Sequence, residues 1–228
     1  MELDRWIPIY EQICDDFGFD PAKDLEGAMR LASLLKGRGL EALEKVREDF
    51  PKKVLVCGGS PQLADEISSI AVEDFVVAAD SATTVLADAE IEVGMIVTDL
   101  DGIVEDQIEM NSEGVPVFVH AHGDNMPAIS KYVPMFSGAV VGTCQCPPPQ
   151  GLVNMGGFTD GDRAACISAA LGASTVLLAG FDFENPSAKP GKVREVKLRK
   201  LRWAREILDE LSREGVRVLS AVEPPRDK

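Results

Sequence analysis

Residues 95–102 read Met-Ile-Val-Thr-Asp-Leu-Asp-Gly, a short apolar run that ends in two aspartates and a glycine. The run has the length and the β-branched character of a single strand, and the polar residues after it are typical of a turn. Because the run is apolar throughout rather than alternating, both faces of the strand should be covered. The stretch therefore predicts a strand inside a parallel sheet, with carboxylates at its carboxyl end.

The same pattern recurs on both sides of this stretch. Apolar runs predict strands at residues 54–57, 75–79, 95–97, 115–119, 139–141, 176–179 and 216–219. Helix-compatible stretches separate most of these runs, and this alternation is the signature of a parallel α/β sheet. We expect an α/β fold with a Rossmann-like, mostly parallel sheet flanked by helices. Ligands of such sheets bind beyond the carboxyl ends of the strands, near a switch in strand order.

The start of the chain has a different pattern. Trp6, Ile9 and Ile13 recur at spacings of three and four, which indicates an amphipathic helix rather than a strand. We therefore expect a helical N-terminal segment over residues 1–50, followed by an α/β domain over residues 51–228.

The charge composition of the chain limits the kinds of molecule that it can bind. The chain has 228 residues, of which 38 are acidic and 23 basic, giving a net charge of −15. Such a surface repels phosphate backbones and anionic membranes, so we expect neither nucleic-acid nor membrane binding. Five cysteines without regular spacing indicate a reducing compartment, and no secretory leader or membrane-length apolar run is visible. We expect a cytoplasmic protein that acts on small molecules; the sequence leaves a homo-oligomer open.

Carboxylates follow several of the predicted strands. They are Asp80, Asp99, Asp101, Asp124, Asp160, Asp162 and Asp182. Each alone could cap a helix, because an aspartate oxygen accepts the free N–H groups of a first helical turn. The turn at residues 98–102 needs one cap and supplies two carboxylates, so capping explains this turn less well than the others. Carboxylate oxygens are also the ligands that Mg²⁺ demands.

Both histidines of the chain lie in the stretch His-Ala-His-Gly-Asp-Asn at residues 120–125, directly after a predicted strand. Three roles are open to this polar loop: metal ligand, phosphate-binding cation or general base. Cys144 and Cys146 could complete a zinc site with the histidines, but the short spacing within each pair disfavours that interpretation.

A glycine-rich stretch at residues 154–164 leads into a predicted helix. Its glycines let the backbone approach a ligand, and a helix N-terminus beneath such a loop is a natural anion or ribose site. Gly58-Gly59-Ser60, after the first strand, is a weaker phosphate-loop candidate. The sequence contains neither a P-loop nor a dinucleotide fingerprint, so it does not support those two enzyme classes.

Three strings together resemble one family. Val-Thr-Asp-Leu-Asp-Gly (97–102), His-Ala-His-Gly-Asp-Asn (120–125) and Gly-Gly-Phe-Thr-Asp-Gly-Asp-Arg-Ala (156–164) resemble the archaeal MptE-like 6-hydroxymethyl-7,8-dihydropterin pyrophosphokinases. The resemblance runs from about residue 53 to residue 183, and the family is distantly similar to thiamin pyrophosphokinases. It implies that residues 51–228 are a catalytic domain. The implied reaction transfers pyrophosphate from ATP to the hydroxymethyldihydropterin, releasing AMP, on the route to methanopterin or folate-type carriers.

The resemblance also implies roles for the residues. Asp99 and Asp101 are expected to bind Mg²⁺, with Asp80 and Asp124 as further ligands. His120 or His122 would bind phosphate or accept the proton of the pterin hydroxyl. Asn125 would orient that hydroxyl. The residues expected to bind ATP or pterin are Gly58, Gly59, Ser60, Asp80, Gly156, Gly157, Thr159, Asp160, Asp162 and Arg163.

Two alternatives compete with this interpretation. A metal-dependent hydrolase also uses a His-x-His pair after a strand, but it needs further histidines that this chain lacks. A non-catalytic nucleotide-binding protein on the same fold would keep the glycines and Asp162 without requiring the Asp99–Asp101 pair.

Overall fold

The structure is a computed structural model that describes residues 1–72, 74–185 and 193–222. Parts of the predicted catalytic domain, including its last six residues, 223–228, lie outside the described residues. The strands are β1 (Lys53–Cys57), β2 (Phe75–Ala79), β3 (Met95–Thr98), β4 (Val117–Ala121), β5 (Val140–Cys144), β6 (Thr175–Ala179) and β7 (Arg217–Ser220). They form one sheet in the order β5-β4-β3-β2-β1-β6-β7, and each neighbouring pair is parallel.

Helices precede the sheet and connect its strands. They are α1 (Leu3–Phe17), α2 (Pro21–Leu35), α3 (Arg38–Glu48), α4 (Leu63–Ser69), α5 (Ala82–Asp88), α6 (Val104–Ser112), α7 (Met126–Tyr132), a 3₁₀ turn (Val133–Met135), α8 (Asp160–Leu171) and α9 (Arg194–Arg213). The predicted α/β fold, a parallel sheet flanked by helices, is thereby confirmed. In the described parts of the chain, no helix has both the length and the apolar character needed to cross a membrane.

Strand β4 begins and ends two residues later than predicted. The N–H of Val115 donates to Met110 O, so Val115 belongs to the turn that ends α6 rather than to the sheet. Pro116 has no N–H to donate, and the strand starts after it. Pairing with β5 then continues through His120, opposite Thr143. The expected loop position of His120 was therefore wrong, because this histidine lies inside the strand.

The N-terminal helices pack on the same core as the sheet, which explains their apolar faces. Trp6 of α1 is fully buried, and its Nε1–H donates to Gln145 O at 2.7 Å. A Cβ atom at Gly142 of β5 would lie 2.6 Å from Leu35 of α2, so the helix packs directly on the strand. The helical character predicted for residues 1–50 is confirmed; their separation from residues 51–228 as a domain stays a prediction.

Candidate active site

The order of the strands switches next to β1. Strands β2 to β5 follow on one side of β1, whereas β6 lies on the other side. The loops after β1 and β6 meet there: the N–H of Gly58 donates to Ala179 O at 2.8 Å, and the N–H of Ser60 donates to Gly180 O at 3.0 Å. A Cβ atom at Gly58 would lie 2.7 Å from Gly180 O, so this approach requires glycine. The predicted Gly58-Gly59-Ser60 loop therefore occupies the switch point, where such sheets bind ligands.

Three carboxylates converge beside this loop. Asp80 follows β2, Asp99 follows β3 and Asp160 is the first residue of α8, and oxygens from all three lie within 4.8 Å of one another. The Oδ1 atom of Asp99 is buried and finds no hydrogen-bond partner among the described residues. Because hard divalent cations prefer carboxylate oxygens, this group is suited to hold a metal ion.

The pKa values of the three carboxyl groups show that their charges repel. Burial, aided by the charge of Asp99, raises the pKa of Asp80 to about 6. The same two causes raise the pKa of Asp160 well above its usual range. Burial also acts to raise the pKa of Asp99, but the His122 hydrogen bond and the charges of His122 and Arg163 outweigh it, leaving that pKa below its ordinary value. A bound cation would relieve this repulsion, so the donor set fits a metal.

The turns that carry these carboxylates are tightly built. Asp80 has φ +45° and Leu100 has φ +68°, a backbone region that costs energy for residues with side chains. The Thr98 hydroxyl stabilises both turns, because it donates to Asp80 Oδ1 at 2.7 Å and accepts the N–H of Leu100 at 2.8 Å. Gln107 donates to the same Asp80 oxygen at 3.3 Å. Asp80 is therefore fixed before any ligand arrives.

The two other predicted metal ligands lie outside this group of three. Asp101 lines the same cavity as Asp99, whereas Asp124 lines a second, smaller cavity on the His122 side. Asp160, which the sequence assigned to nucleotide or pterin binding, takes the third place in the group. The metal roles of Asp101 and Asp124 stay predictions.

His120 and His122 have different surroundings. His120 is 1 % exposed, and its Nδ1 lies 3.0 Å from the Thr143 hydroxyl. Burial, aided by the charge of Arg163, holds its pKa well below the usual range, so the ring is neutral. His122 is partly exposed, and its Nε2 lies 3.4 Å from Asp99 Oδ2. Of the two rings, His122 is the one in contact with the carboxylate cluster.

Asn125 connects the ends of β3 and β4. Its amide nitrogen donates to Asp99 O at 2.8 Å and to His120 O at 2.7 Å, while its amide oxygen accepts the N–H of His122 at 3.0 Å. These three bonds satisfy most of the polar capacity of the side chain. They give Asn125 a positioning function in the structure, and its predicted role in orienting the substrate stays a prediction.

The glycine-rich loop places the start of α8 against the cluster. Gly157 has φ +96°, and a Cβ atom there would lie 2.3 Å from Arg163 Cα. The buried Asp162 carboxylate accepts the N–H of Phe158 at 2.6 Å, the N–H of Thr159 at 2.8 Å and the Thr159 hydroxyl. Thr159 and Asp162 thereby form a capping box at the start of α8. A ligand contact by Asp162 stays a prediction.

The Arg163 side chain also forms hydrogen bonds within this loop. It is 3 % exposed, and it donates to Asp160 Oδ1 at 2.8 Å and to Phe158 O at 2.8 Å. Its Nε–H is buried and finds no partner among the described residues. The guanidinium therefore orients Asp160 and leaves its Nε–H unused.

A cavity of about 410 Å³ opens in front of the cluster. The glycine loop and the carboxylates form one side of it. The lining also includes residues that were not predicted from the sequence, among them Phe181, Phe183, Val196, Lys197, Lys200 and Ala204. Two of these are lysines three residues apart on α9, a spacing that places them on one helix face. That spacing is the only sequence signal that could have indicated them.

Another cavity, of about 90 Å³, is also lined by Asp99. It shares Asp99, Phe158 and Lys200 with the larger cavity. Its remaining wall comes largely from the N-terminal helical segment and from the turn after β4. Sequence reasoning assigned no site residue to the N-terminal segment.

Fold and site together define an α/β protein whose ligand cavity lies at the strand-order switch and is lined by glycines and carboxylates. Residues 28–187 match the family model described as 6-hydroxymethylpterin diphosphokinase MptE-like. The chain therefore belongs to the MptE-like family. It is 40 % identical to a 6-hydroxymethyl-7,8-dihydropterin pyrophosphokinase of Methanothermobacter thermautotrophicus, covering 94 % of this chain and 97 % of that protein. The Pyrococcus furiosus protein of the same name is 36 % identical, covering 94 % of this chain and 96 % of that protein.

Proposed function

We propose that the chain is a Mg²⁺-dependent enzyme that transfers the pyrophosphoryl group of ATP to 6-hydroxymethyl-7,8-dihydropterin. The products are the pterin diphosphate and AMP, and the pterin diphosphate would serve the synthesis of methanopterin or folate-type carriers. Relatives that carry this activity in their names align with nearly the whole chain. All five cysteines are free and buried, which supports the expected reducing, cytoplasmic setting.

The carboxylate cluster beside the glycine loop is the observation that carries this proposal. Pyrophosphoryl transfer needs little covalent chemistry from a protein; it needs the phosphates held in line and their charge neutralised. Mg²⁺ would supply that neutralisation when bound by Asp80, Asp99 and Asp160. Without a cation, three carboxylates would repel the phosphates of ATP.

The larger cavity suits a nucleoside triphosphate. Its volume of about 410 Å³ lies within the range of roughly 300–1,000 Å³ that small-molecule sites occupy. The backbone of residues 58–60 and the N-terminus of α8 would bind phosphate, as exposed N–H groups do. Phe181 and Phe183 offer aromatic surface for a base, and Lys200 adds positive charge at the boundary of the cavity.

The reaction balances without a further reactant. The hydroxyl oxygen of the pterin attacks the β-phosphorus of ATP, and the bond from that phosphorus to the α–β bridging oxygen breaks. The bridging oxygen leaves with AMP, and the hydroxyl proton is released. In this proposal His122 keeps Asp99 ionised rather than acting directly on the phosphates.

The product pattern tests the function. The protein is incubated with ATP, Mg²⁺ and, separately, hydroxymethyldihydropterin, thiamin or water, and AMP and ADP are quantified. AMP formed in step with pterin diphosphate is expected. Release of ADP and phosphate with water alone would instead indicate a hydrolase, and nucleotide binding without any product would indicate a non-catalytic protein.

A further inference from the structure

The smaller cavity has walls from two distant parts of the chain. Phe19, Asp20 and Lys23 come from the connection between α1 and α2 and from the start of α2, and His122 and Asp124 come from the turn after β4. The N-terminal segment thus forms one side of a space that reaches Asp99.

This wall is held in place by one buried carboxylate. Asp24 accepts the N–H of Gly123 at 2.8 Å, the Tyr10 hydroxyl at 2.7 Å and the Gln145 amide at 2.7 Å. These bonds tie α1, α2, the β4 turn and the residues after β5 to one another. A Cβ atom at Gly27 would also lie 2.7 Å from His122 O, so α2 packs closely on that turn. The cavity is therefore preformed.

Unused polar atoms surround this cavity. Asp99 and Arg163 both line it, and the Asp99 Oδ1 atom and the Arg163 Nε–H are buried without a partner among the described residues. Arg163 is 3 % exposed, so water has little access to it. Asp99 Oδ1 is a candidate metal ligand, so the unpartnered Arg163 Nε–H is the atom that indicates a hydrogen-bond acceptor on a ligand here, since buried polar groups in proteins are nearly always hydrogen-bonded.

Charge and shape narrow the class of ligand. Four aspartates line the cavity, against Lys23, Lys200 and an Arg163 that already pairs with Asp160, so an anion is disfavoured there. Phe19 and Phe158 present aromatic surface, with their rings 6.3 Å apart and inclined at 52°. A volume of about 90 Å³ is below the range of roughly 300–1,000 Å³ for small-molecule sites, so the cavity takes a single ring system with the rest of the ligand outside it. A flat, uncharged heterocycle with amino and carbonyl groups fits these features.

We propose that the smaller cavity binds the ring of the pterin acceptor and that the N-terminal helical segment is part of this binding site. The assignment rests on the proposed function. With ATP in the larger cavity, the two substrates meet at Asp99, which both cavities share. The hydroxymethyl arm of the pterin then points toward the phosphates, and Asp24 acts as a positioning residue.

Two substitutions in opposite cavities test the assignment. Phe19→Ala is expected to raise the KM for hydroxymethyldihydropterin about tenfold or more and to leave the KM for ATP within about twofold. Phe183→Ala, in the larger cavity, is expected to do the reverse. Lys23→Met provides a second small-cavity variant at an exposed position, should Phe19→Ala fail to fold. Met29→Ala, on the exposed side of α2 and 59 % exposed, is the matched control and should change neither KM.

Equilibrium binding of the pterin tests the cavity assignment independently of the proposed reaction. Pterin fluorescence is titrated with protein in the absence of ATP, for the wild type and for the folded small-cavity variants. If the wild type produces pterin diphosphate but these variants keep the wild-type acceptor KM and affinity, the cavity assignment is overturned and the function stands. If the wild type binds pterin without transferring pyrophosphate, and the variants weaken that binding, the function is overturned and the cavity assignment stands.

Discussion

The Nε2 atom of His122 lies 3.4 Å from the Oδ2 atom of Asp99. The other ring nitrogen, Nδ1, accepts the N–H of Asp124 at 3.3 Å, so Nε2 is the ring nitrogen that donates to the carboxylate. This contact helps to hold the pKa of Asp99 below its ordinary value, while the pKa values of Asp80 and Asp160 are raised. Asp99 is thus the member of the cluster whose pKa is lowered rather than raised.

Loss of the charge on Asp99 should abolish most of the activity. We expect Asp99→Asn to lower kcat at saturating ATP by at least about a hundredfold, as removal of a central electrostatic contact does in other enzymes. Its melting temperature without metal should stay level or fall, because the lowered pKa of Asp99 means that its surroundings favour the charged form. Turnover and Mg²⁺ titration measure the first effect, and thermal unfolding in a chelator measures the second.

Asp88→Asn is the control for this prediction, since Asp88 is an exposed aspartate at the end of α5. It should change neither turnover nor Mg²⁺ dependence. Near wild-type turnover of Asp99→Asn at limiting Mg²⁺ would show that the cluster does not hold the catalytic metal.

The raised pKa of Asp80 predicts a dependence of stability on pH. An ordinary aspartate titrates near about 3.9, whereas the pKa of the buried Asp80 is about 6 in the folded protein. Between these values the folded state binds a proton that the unfolded state has lost. The free energy of unfolding should therefore fall as pH rises from about 4 to about 6, by an amount on the order of 1–3 kcal/mol.

Urea unfolding in a chelator at several pH values measures this dependence. Asp80→Asn has no titrating group at position 80, so its free energy of unfolding should decrease less than that of the wild type over the same window. Mg²⁺ added at pH 7 should stabilise the wild type more than the variant. Parallel pH curves for the two proteins would contradict the proposed cost of ionising Asp80.

Gly102 leaves room for the Asp80 carboxylate. A Cβ atom at this position would lie 2.7 Å from Asp80 Oδ2 and 3.1 Å from Asp80 Oδ1. Gly102→Ala should therefore displace the carboxylate and reduce kcat by about tenfold or more, because small misplacements of catalytic groups cost rate steeply. Steady-state kinetics and Mg²⁺ titration report the change.

A double-mutant cycle identifies the cause of that effect. In an Asp80→Ala background no carboxylate is left to collide with the new methyl group. We expect the destabilisation by Gly102→Ala, measured as the free energy of unfolding, to be smaller there than in the wild type. Equal destabilisation in both backgrounds would assign the effect to the backbone at residue 102.

The sequence was sufficient to predict the sheet and its acidic edge for a physical reason. A strand buried on both faces must be apolar along its length, so runs such as residues 75–79 and 95–98 are visible in the sequence. In a parallel sheet their carboxyl ends lie on one edge. Asp80 and Asp99 follow those strands directly, and their proximity is a consequence of topology alone.

The other features depend on tertiary contacts that no local pattern contains. Asp160 reaches the cluster only because α8 packs across β1, β2, β3 and β6, a placement set by the whole core. Asp24 meets Gly123 across 99 positions of sequence, so the smaller cavity was not visible. The end of β4 was misplaced because His120 is a polar residue that the strand buries against Thr143.

Substitution of the two histidines by glutamine should affect different properties, stability for His120 and the pH dependence of catalysis for His122. His120 is buried and neutral, and we expect His120→Gln to lower the free energy of unfolding by roughly 1–3 kcal/mol while the folded enzyme keeps its kinetic constants. His122→Gln removes a cause of the lowered pKa of Asp99, so that pKa should rise. The acidic limb of the kcat/KM profile should then move toward neutral pH, with little change in stability.

A pH–rate profile, an ATP titration and a urea unfolding curve for each variant distinguish these outcomes. If His122 instead bound phosphate, the KM for ATP would rise without movement of the acidic limb, because the charge of Asp99 would be unaffected. If His120 took part in the reaction, turnover by the folded His120→Gln protein would fall at every pH. An unmoved acidic limb in His122→Gln would exclude the contact between His122 and Asp99 as the reason that Asp99 stays ionised.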